Sequence, residues 1–448
     1  MTRPLTDLTQ ALLEAARAAG ADTADSIAFH STRVSVGVRS GALEQAERAE
    51  ETDIGLRVFL GQRVATVASS DTSPDALRIM AERCVAMARE APEDPYVGLA
   101  TPDQLSDIRD GTGLDLVDPD PEPEPDQLQQ DALRAEAAAA AVAGVSQVQS
   151  SGASYERRRA HLAATNGFSG GYTRTGHSLS CVAISGEGSG MERDYDYDMR
   201  IHRTDLRDAE EIGRSAGERA VALHGARRPK TGAYPVLFDE RIASSLVGHL
   251  LQAINGATIA RGSSFLRDAM GEQVLPAGLS LIDDPHRPRI YGARPFDADG
   301  LPTARHALVE DGVLKSWVLD LATARKLGLE STGNASRDTT GQSSPQISTI
   351  SLTQGDRTRA ELMAEMGTGL LVTSMIGSTI NPNTGDYSRG ASGFWIENGE
   401  IAYPVNECTV AGNLRDMLLS LTPANDARTH LSRVVPSLRV EGLTLAGE

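Results

Sequence analysis

Three cysteines, three lysines and few aromatic rings mark this sequence, and each shortage closes off a class of function. Cys84, Cys181 and Cys408 are odd in number and far apart, which excludes a disulfide framework and a paired-cysteine zinc site. That is the usage of a reduced, cytoplasmic protein. Lys230, Lys315 and Lys326 are the only lysines, and none follows a glycine, so a phosphate loop of the Gly-Lys-Ser/Thr kind is absent. With aromatics at 4%, the core must rest on Ala, Val, Leu and Ile. No run of 18 apolar residues occurs, which excludes a helical membrane span. The first twenty residues read as an amphipathic helix with Asp7, Glu14 and Arg17 on its polar side, not as a signal peptide. A formal charge of -18 argues against direct nucleic-acid binding, because such a surface repels phosphates.

The familiar catalytic motifs are missing as well. There is no Gly-x-Ser-x-Gly elbow and no Ser-x-x-Lys, and the run Gly186 to Gly190 fails the dinucleotide fingerprint because Met191 stands where the last glycine is needed. The nine histidines are scattered singly, whereas zinc needs three or four ligands converging on one point.

What is present is a chain of 448 residues, too long for one ordinary core. Alternating runs at 26–39, 43–50, 52–60 and 63–69, broken by short turn signals, predict an antiparallel meander. Ser73-Pro74 opens a helix through about Arg89 that carries Cys84 among small apolar neighbours. Periodicity fades after Ala91, and Pro119 to Asp126 reads as a stiff, acidic, solvated connector. A helix near 127–143, strands across 145–203 and a helix near 205–224 follow. Strands followed by a helix thus occur twice, which suggests duplication of one α+β unit. Beyond Lys230, the turn signals Asp297 to Gly300, Glu310 to Gly312 and Glu397 to Glu400 predict a mainly antiparallel β domain, a barrel or a sandwich. The expectation is an α+β protein with an N-terminal domain at 1–225 and a C-terminal β-rich domain at 230–448.

One helix, at 239–255, enters that second domain. Ile242, Leu246, Val247, Leu250, Leu251 and Ile254 form its apolar stripe, Asp239 and Glu240 suit its N-terminus, and Asn255-Gly256 reads as its stop. His249 has no histidine or carboxylate three or four residues on, so it reads as a packed histidine and not a ligand. Asp283-Asp284-Pro285-His286 reads as a polar turn, with metal ligation as the alternative.

Pro295 to Arg337 and Gly385 to Met417, together with GHLLQAINGATIARGSSFL, closely resemble the TldD/PmbA family, also known as modulators of DNA gyrase. The likeness covers nearly the whole chain. It implies a heterodimeric, cytoplasmic zinc metalloprotease acting on unfolded or extended peptides. One subunit type carries His-Glu-x-x-x-His on the helix corresponding to 239–255, with a later cysteine completing the zinc site. Counted back from Arg261-Gly262-Ser263, those motif positions fall on Val247, Gly248 and Gln252, none a competent ligand or base. The resemblance is therefore to the TldE, or PmbA, type of subunit, with no catalytic residue and no cofactor of its own and with zinc in a TldD-like partner. Cys408 reads as core. Arg261, Gly262, Ser263 and Ser264 are the candidate groove or partner-contact segment. An unprotected sheet edge in the C-terminal half would pair with the paralogue or with an extended peptide, and with a second copy of the chain when it is alone. A stand-alone peptide-binding or chaperone-like module, and a peptidase with an unrecognised site, are the competing readings.

Overall fold

A computed structural model describes residues 3–447. The N-terminal half begins with α1 (Leu5–Ala18), β1 (Thr23–Arg39), β2 (Ala42–Leu60), β3 (Arg63–Ser69) and α2 (Pro74–Glu90). It continues with α3 (Pro125–Ala140), β4 (Val145–Ala164), β5 (Ser169–Ser185), β6 (Glu192–Arg200) and α4 (Ala209–Ala222). The order helix, three strands, helix is thus repeated, and the six strands form one sheet in the order β3-β2-β1-β4-β5-β6. The first strands of the two units meet at its centre, antiparallel from Asp25 opposite Ala164 to Val38 opposite Ser151. Topology therefore carries the duplication that side-chain identity leaves faint. The predicted strands at 43–50 and 52–60 are one strand, because no glycine, proline or asparagine between them interrupts pairing with β1.

The helices cover one face. Leu8, Leu12, Ala28, Ile54, Leu56, Ala81 and Cys84 make the core of the first unit, and Val36, Leu128, Ala135, Leu179, Cys181 and Ile212 that of the second. Small residues let α3 and α4 approach closely. A Cβ on Gly213 would stand 1.9 Å from the Ala135 carbonyl oxygen, so only glycine fits there.

The C-terminal half runs through β7 (Gly232–Phe238), α5 (Glu240–Ala253), α6 (Gly256–Ala260), β8 (Leu281–Asp283), β9 (His306–Glu310), β10 (Val313–Leu314) and α7 (Leu321–Leu327). Next come β11 (Ala335–Ser336), β12 (Ser344–Pro345), β13 (Ile350–Leu352), α8 (Arg359–Met366), β14 (Gly369–Ile380), β15 (Asp386–Glu397) and β16 (Glu400–Asn413). It ends with α9 (Leu414–Leu419), β17 (Thr422–Pro423), β18 (Arg433–Val434) and β19 (Leu438–Ala446). Strands β16, β15, β14, β7 and β19 pair in that order, and β16 pairs again with β19, which closes a five-stranded barrel. The barrel, not the sandwich, is the architecture. Two-residue turns at Asp311-Gly312 and Asn398-Gly399, all four at positive φ, close hairpins where the sequence places them.

Helix α5 leaves the end of β7 with Asp239 as its N-cap, whose carboxylate accepts the Arg241 N–H. Its stripe packs with Val236, Leu370, Val372, Cys408 and Val410 in the main core. Asn255 does end this helix, but it also caps the next one. It accepts the Ala257 N–H and donates its amide to the Pro345 carbonyl at 2.8 Å. Gly256 is confined there, since a Cβ would meet Leu319 at 2.5 Å.

The free face of the N-terminal sheet docks on the C-terminal half. Ile27, Leu162 and Phe168 pack against Phe296. Beside them the buried Arg57 pairs with Asp25 on its own sheet and with Asp299 of the other half at 3.0 Å, and Arg337 pairs with Asp25 at 2.6 Å. Arg325 donates to the carbonyls of Tyr96, Gly98 and Leu99, which ties down the start of the connector.

Candidate functional site

A polar cleft of about 400 Å³ lies beside α5, lined by Gly248, Leu251, Gln252 and Asn255 on one side and by Ser344 to Ile347 and Arg433 on the other. Residues four apart on a helix share a face. Gly248 and Gln252 therefore both open on the cleft. Val247, one step of about 100° away, is turned into the core and is 1% exposed. The three positions to which the resemblance assigns the metal motif are thus divided between cleft and core.

Gln252 donates its amide to the Thr258 hydroxyl at 3.2 Å, and Arg261 donates to the same hydroxyl at 3.4 Å, but Arg261 is not among the residues that line the cleft. Gly262 at φ 71° lets the chain turn after it. Ser263 is half-buried. Ser264 is turned inward, donating to the Ala253 carbonyl at 2.6 Å and accepting the Leu266 N–H, so its hydroxyl is spent on the fold.

His249 lies against the Tyr387 ring, centroids 5.8 Å apart, with its Nε2 buried and unpartnered. Burial, aided by the Arg389 charge, lowers its pKa to about 4, so the ring is neutral. Cys408 is buried in the barrel core, its thiol donating to the Ala391 carbonyl, and burial pushes it up to about 11. Asp283 accepts from Asn334 and Thr349 at 2.9 Å each, and His286 pairs with the Thr303 hydroxyl, which makes that segment a polar turn. Among the described residues no group of three or more His, Cys, Asp or Glu side chains is arranged to hold a metal ion.

The charged interface between the two halves is what motif reading misses. Asp297 and Asp299 look like hairpin-turn residues in the sequence, yet both side chains are buried. Asp297 accepts the N–H groups of Asp299, Leu301 and Ala335. Burial and the Asp299 charge push its carboxyl up, to about 7. Burial acts on Asp299 in the same sense and is the largest single effect, but the Arg57 charge, the hydrogen bonds from Ser343 and Arg57 and the Arg337 charge together outweigh it and hold that carboxyl low. A Asp-x-Asp-Gly string carries a turn signal, and nothing local in it signals partners more than 200 residues away.

Models of the PmbA/TldA metallopeptidase family match three consecutive stretches: domain 1 at 25–88, the central domain at 118–223 and the C-terminal domain at 231–447. Metalloprotease PmbA of Escherichia coli O157:H7 is 36% identical over 428 residues, 95% of this chain and 93% of the relative. The chain belongs to the PmbA/TldD family. A PmbA homologue from Haemophilus influenzae is 33% identical over 92% of the chain and 90% of its own length. Among solved structures, a Bacteroides thetaiotaomicron protein named as a modulator of DNA gyrase superposes with a TM-score of 0.90 at 28% identity, covering 99% of this chain and 98% of that one. TldE from Thermococcus kodakarensis shares the fold, with a TM-score of 0.84 at 21% identity over 98% of this chain and 99% of that one. The family's three segments correspond to the first helix-strand unit, the second, and the barrel half.

Proposed function

We propose that this chain is the metal-free subunit of a two-subunit metallopeptidase, forming part of a peptide-binding groove while a TldD-like paralogue supplies the zinc. The division of Val247, Gly248 and Gln252 between core and cleft carries this reading. A metallopeptidase helix must aim its ligands and its base at one point. Here the first position is buried apolar, the second has no side chain, and the third is an amide already bonded to Thr258. Zinc does not fit this donor set, and no step of the reaction runs through this helix.

What the cleft does offer is peptide-like chemistry. Gln252, Asn255, Ser344, Gln346 and Arg433 line it. Amide and hydroxyl groups of this kind match the backbone donors and acceptors of an extended peptide. Three buried thiols and the absence of a helix able to cross a membrane among the described residues accord with work in the cytoplasm.

Co-expression with a paralogue carrying His-Glu-x-x-x-His tests the proposal. A stable hetero-assembly should appear on sizing, and chelator-sensitive cleavage of unfolded peptides should require both chains. Zinc analysis of this chain purified alone should find well under one ion per chain. One tightly held zinc, or cleavage by the chain alone, would establish a peptidase with a site of its own. Peptide binding without any assembly would establish a stand-alone binding module.

A further inference from the structure

Between the free face of the N-terminal sheet and the C-terminal half lies a cavity of about 300 Å³, within the range of small-molecule sites. Four arginines line it: Arg158 and Arg174 from β4 and β5, Arg294 and Arg337 from the other half. In a chain of net charge -18 these four cations share the lining with a single carboxyl group, that of Asp297.

Several of their polar atoms are buried without a hydrogen-bond partner. The Arg337 side chain is 1% exposed, and one of its nitrogens meets Asp25, while its Nε and Nη2 have no partner. Arg294 spends both terminal nitrogens on the carbonyls of Ala335, Gly333 and Gln346, and leaves Nε unpartnered. Arg174 gives one nitrogen to the Ala293 carbonyl and likewise leaves Nε free, and the Ser348 hydroxyl beside them is buried without a partner. Buried donors are nearly always satisfied, and guanidinium groups are matched in geometry to oxyanions. The remaining wall is aromatic. Arg158 stacks over Phe29 at 4.1 Å from the ring centroid, and Arg174 lies 5.0 Å from the centroid of Tyr291.

We propose that this cavity binds a carboxylate joined to an apolar body, such as the C-terminal residue of a short peptide. The guanidinium groups that line the cavity take the carboxylate, and the aromatic wall takes the body. The cavity adjoins the cleft beside α5, because Gln346 and Ile347 line the cleft while Ser348 lines the cavity. The choice of a peptide end rests on the proposed function, whereas the oxyanion site rests on the arginines alone.

Charges facing the site set its pH dependence. Asp297 also lines the cavity, flanked by Arg294, Asp299, Arg57 and Arg337, with Asp25 behind Arg337 and the buried, neutral-leaning His161 across from it. As Asp297 loses its proton near pH 7 it repels a bound carboxylate, so affinity should decline from pH 6 to pH 8.

Calorimetry on the full chain, without a partner, tests this with N-acetylphenylalanine, its amide and inorganic phosphate. The free acid should bind at least about tenfold more tightly than the amide. Arg174→Gln should weaken it by a similar factor, and Arg158→Gln, at an exposed rim position that cannot unsettle the fold, by about threefold. Equal binding of acid and amide, no binding of the acid up to about 10 mM, or wild-type affinity in both variants would overturn the site. Phosphate binding as tightly as the acid would overturn the apolar half of the recognition. None of these readouts needs peptidase activity, so a failed co-expression leaves them intact.

Discussion

His249 shows how much one side chain's surroundings decide. Its sequence neighbours offer no second ligand, and in the fold it meets an aromatic ring and a cation instead of a metal or a carboxylate. Its folded pKa of about 4 lies below the ordinary 6.5. The unfolded chain therefore binds the proton more readily between those values, and stability is fully present above pH 6.5 and is lost as pH falls toward 4. The shift corresponds to at most about 3 kcal/mol, and partial solvent access reduces this to about 1–2 kcal/mol. Urea midpoints followed from pH 7 to pH 4 should show that loss, and His249→Leu should remove most of it. A variant with an unchanged pH profile would mean that the ring is protonated in the fold.

On the scale of the element, α5 is a helix whose inward face is packed and whose Gly248 and Gln252 side opens on the cleft. Gly248 sits in its interior with no strained φ, and a Cβ there would stand 3.7 Å from Arg433, an ordinary contact. Gly248→Ala should stabilise the chain by about 0.5–1 kcal/mol through helix propensity alone. Val247→His should instead cost about 2–3 kcal/mol, since it forces a polar ring into the core. The triple variant Val247→His, Gly248→Glu, Gln252→His should gain weak zinc binding at most and no useful peptidase activity, because its first imidazole points away from the cleft that the other two share. Robust, chelator-sensitive cleavage by that variant without a partner would show that the rest of a zinc site has been kept.

For the molecule as a whole, the contact between the halves rests on a buried ion network beside an apolar patch. Asp299→Asn would leave Arg57 buried with one carboxylate in place of two, at a cost of about 2–4 kcal/mol. Its unfolding should separate into two steps by calorimetry, and a single unshifted transition would show that the apolar contacts suffice. Closure of the barrel also bears on assembly. The ring closes where β16 and β19 pair, yet β14 pairs with β7 only at 370–372, so its outer stretch from Ser374 to Ile380 has β15 on one side and a free edge on the other. Ile376, on that outer stretch of β14, is 77% exposed, the most exposed large apolar side chain among the described residues.

The sequence by itself determined the first five helices, the hairpin turns and the absence of a His-Glu-x-x-x-His string, and it suggested the repeated unit, because each depends on residues near one another. Capping at Ser73 and Asp239 and the paired turn residues at 311–312 and 398–399 are all local facts. Only the tertiary structure decided that β2 runs unbroken, that the C-terminal strands close into a barrel, and that the turn at 297–300 buries both its carboxyl groups, Asp299 against Arg57. The arginine-lined cavity belongs to the same class. Its four cations come from positions 158, 174, 294 and 337, and no periodicity or spacing links them. They meet because one sheet face is left free of helices, and that follows from how 448 residues divide their apolar surface between two halves.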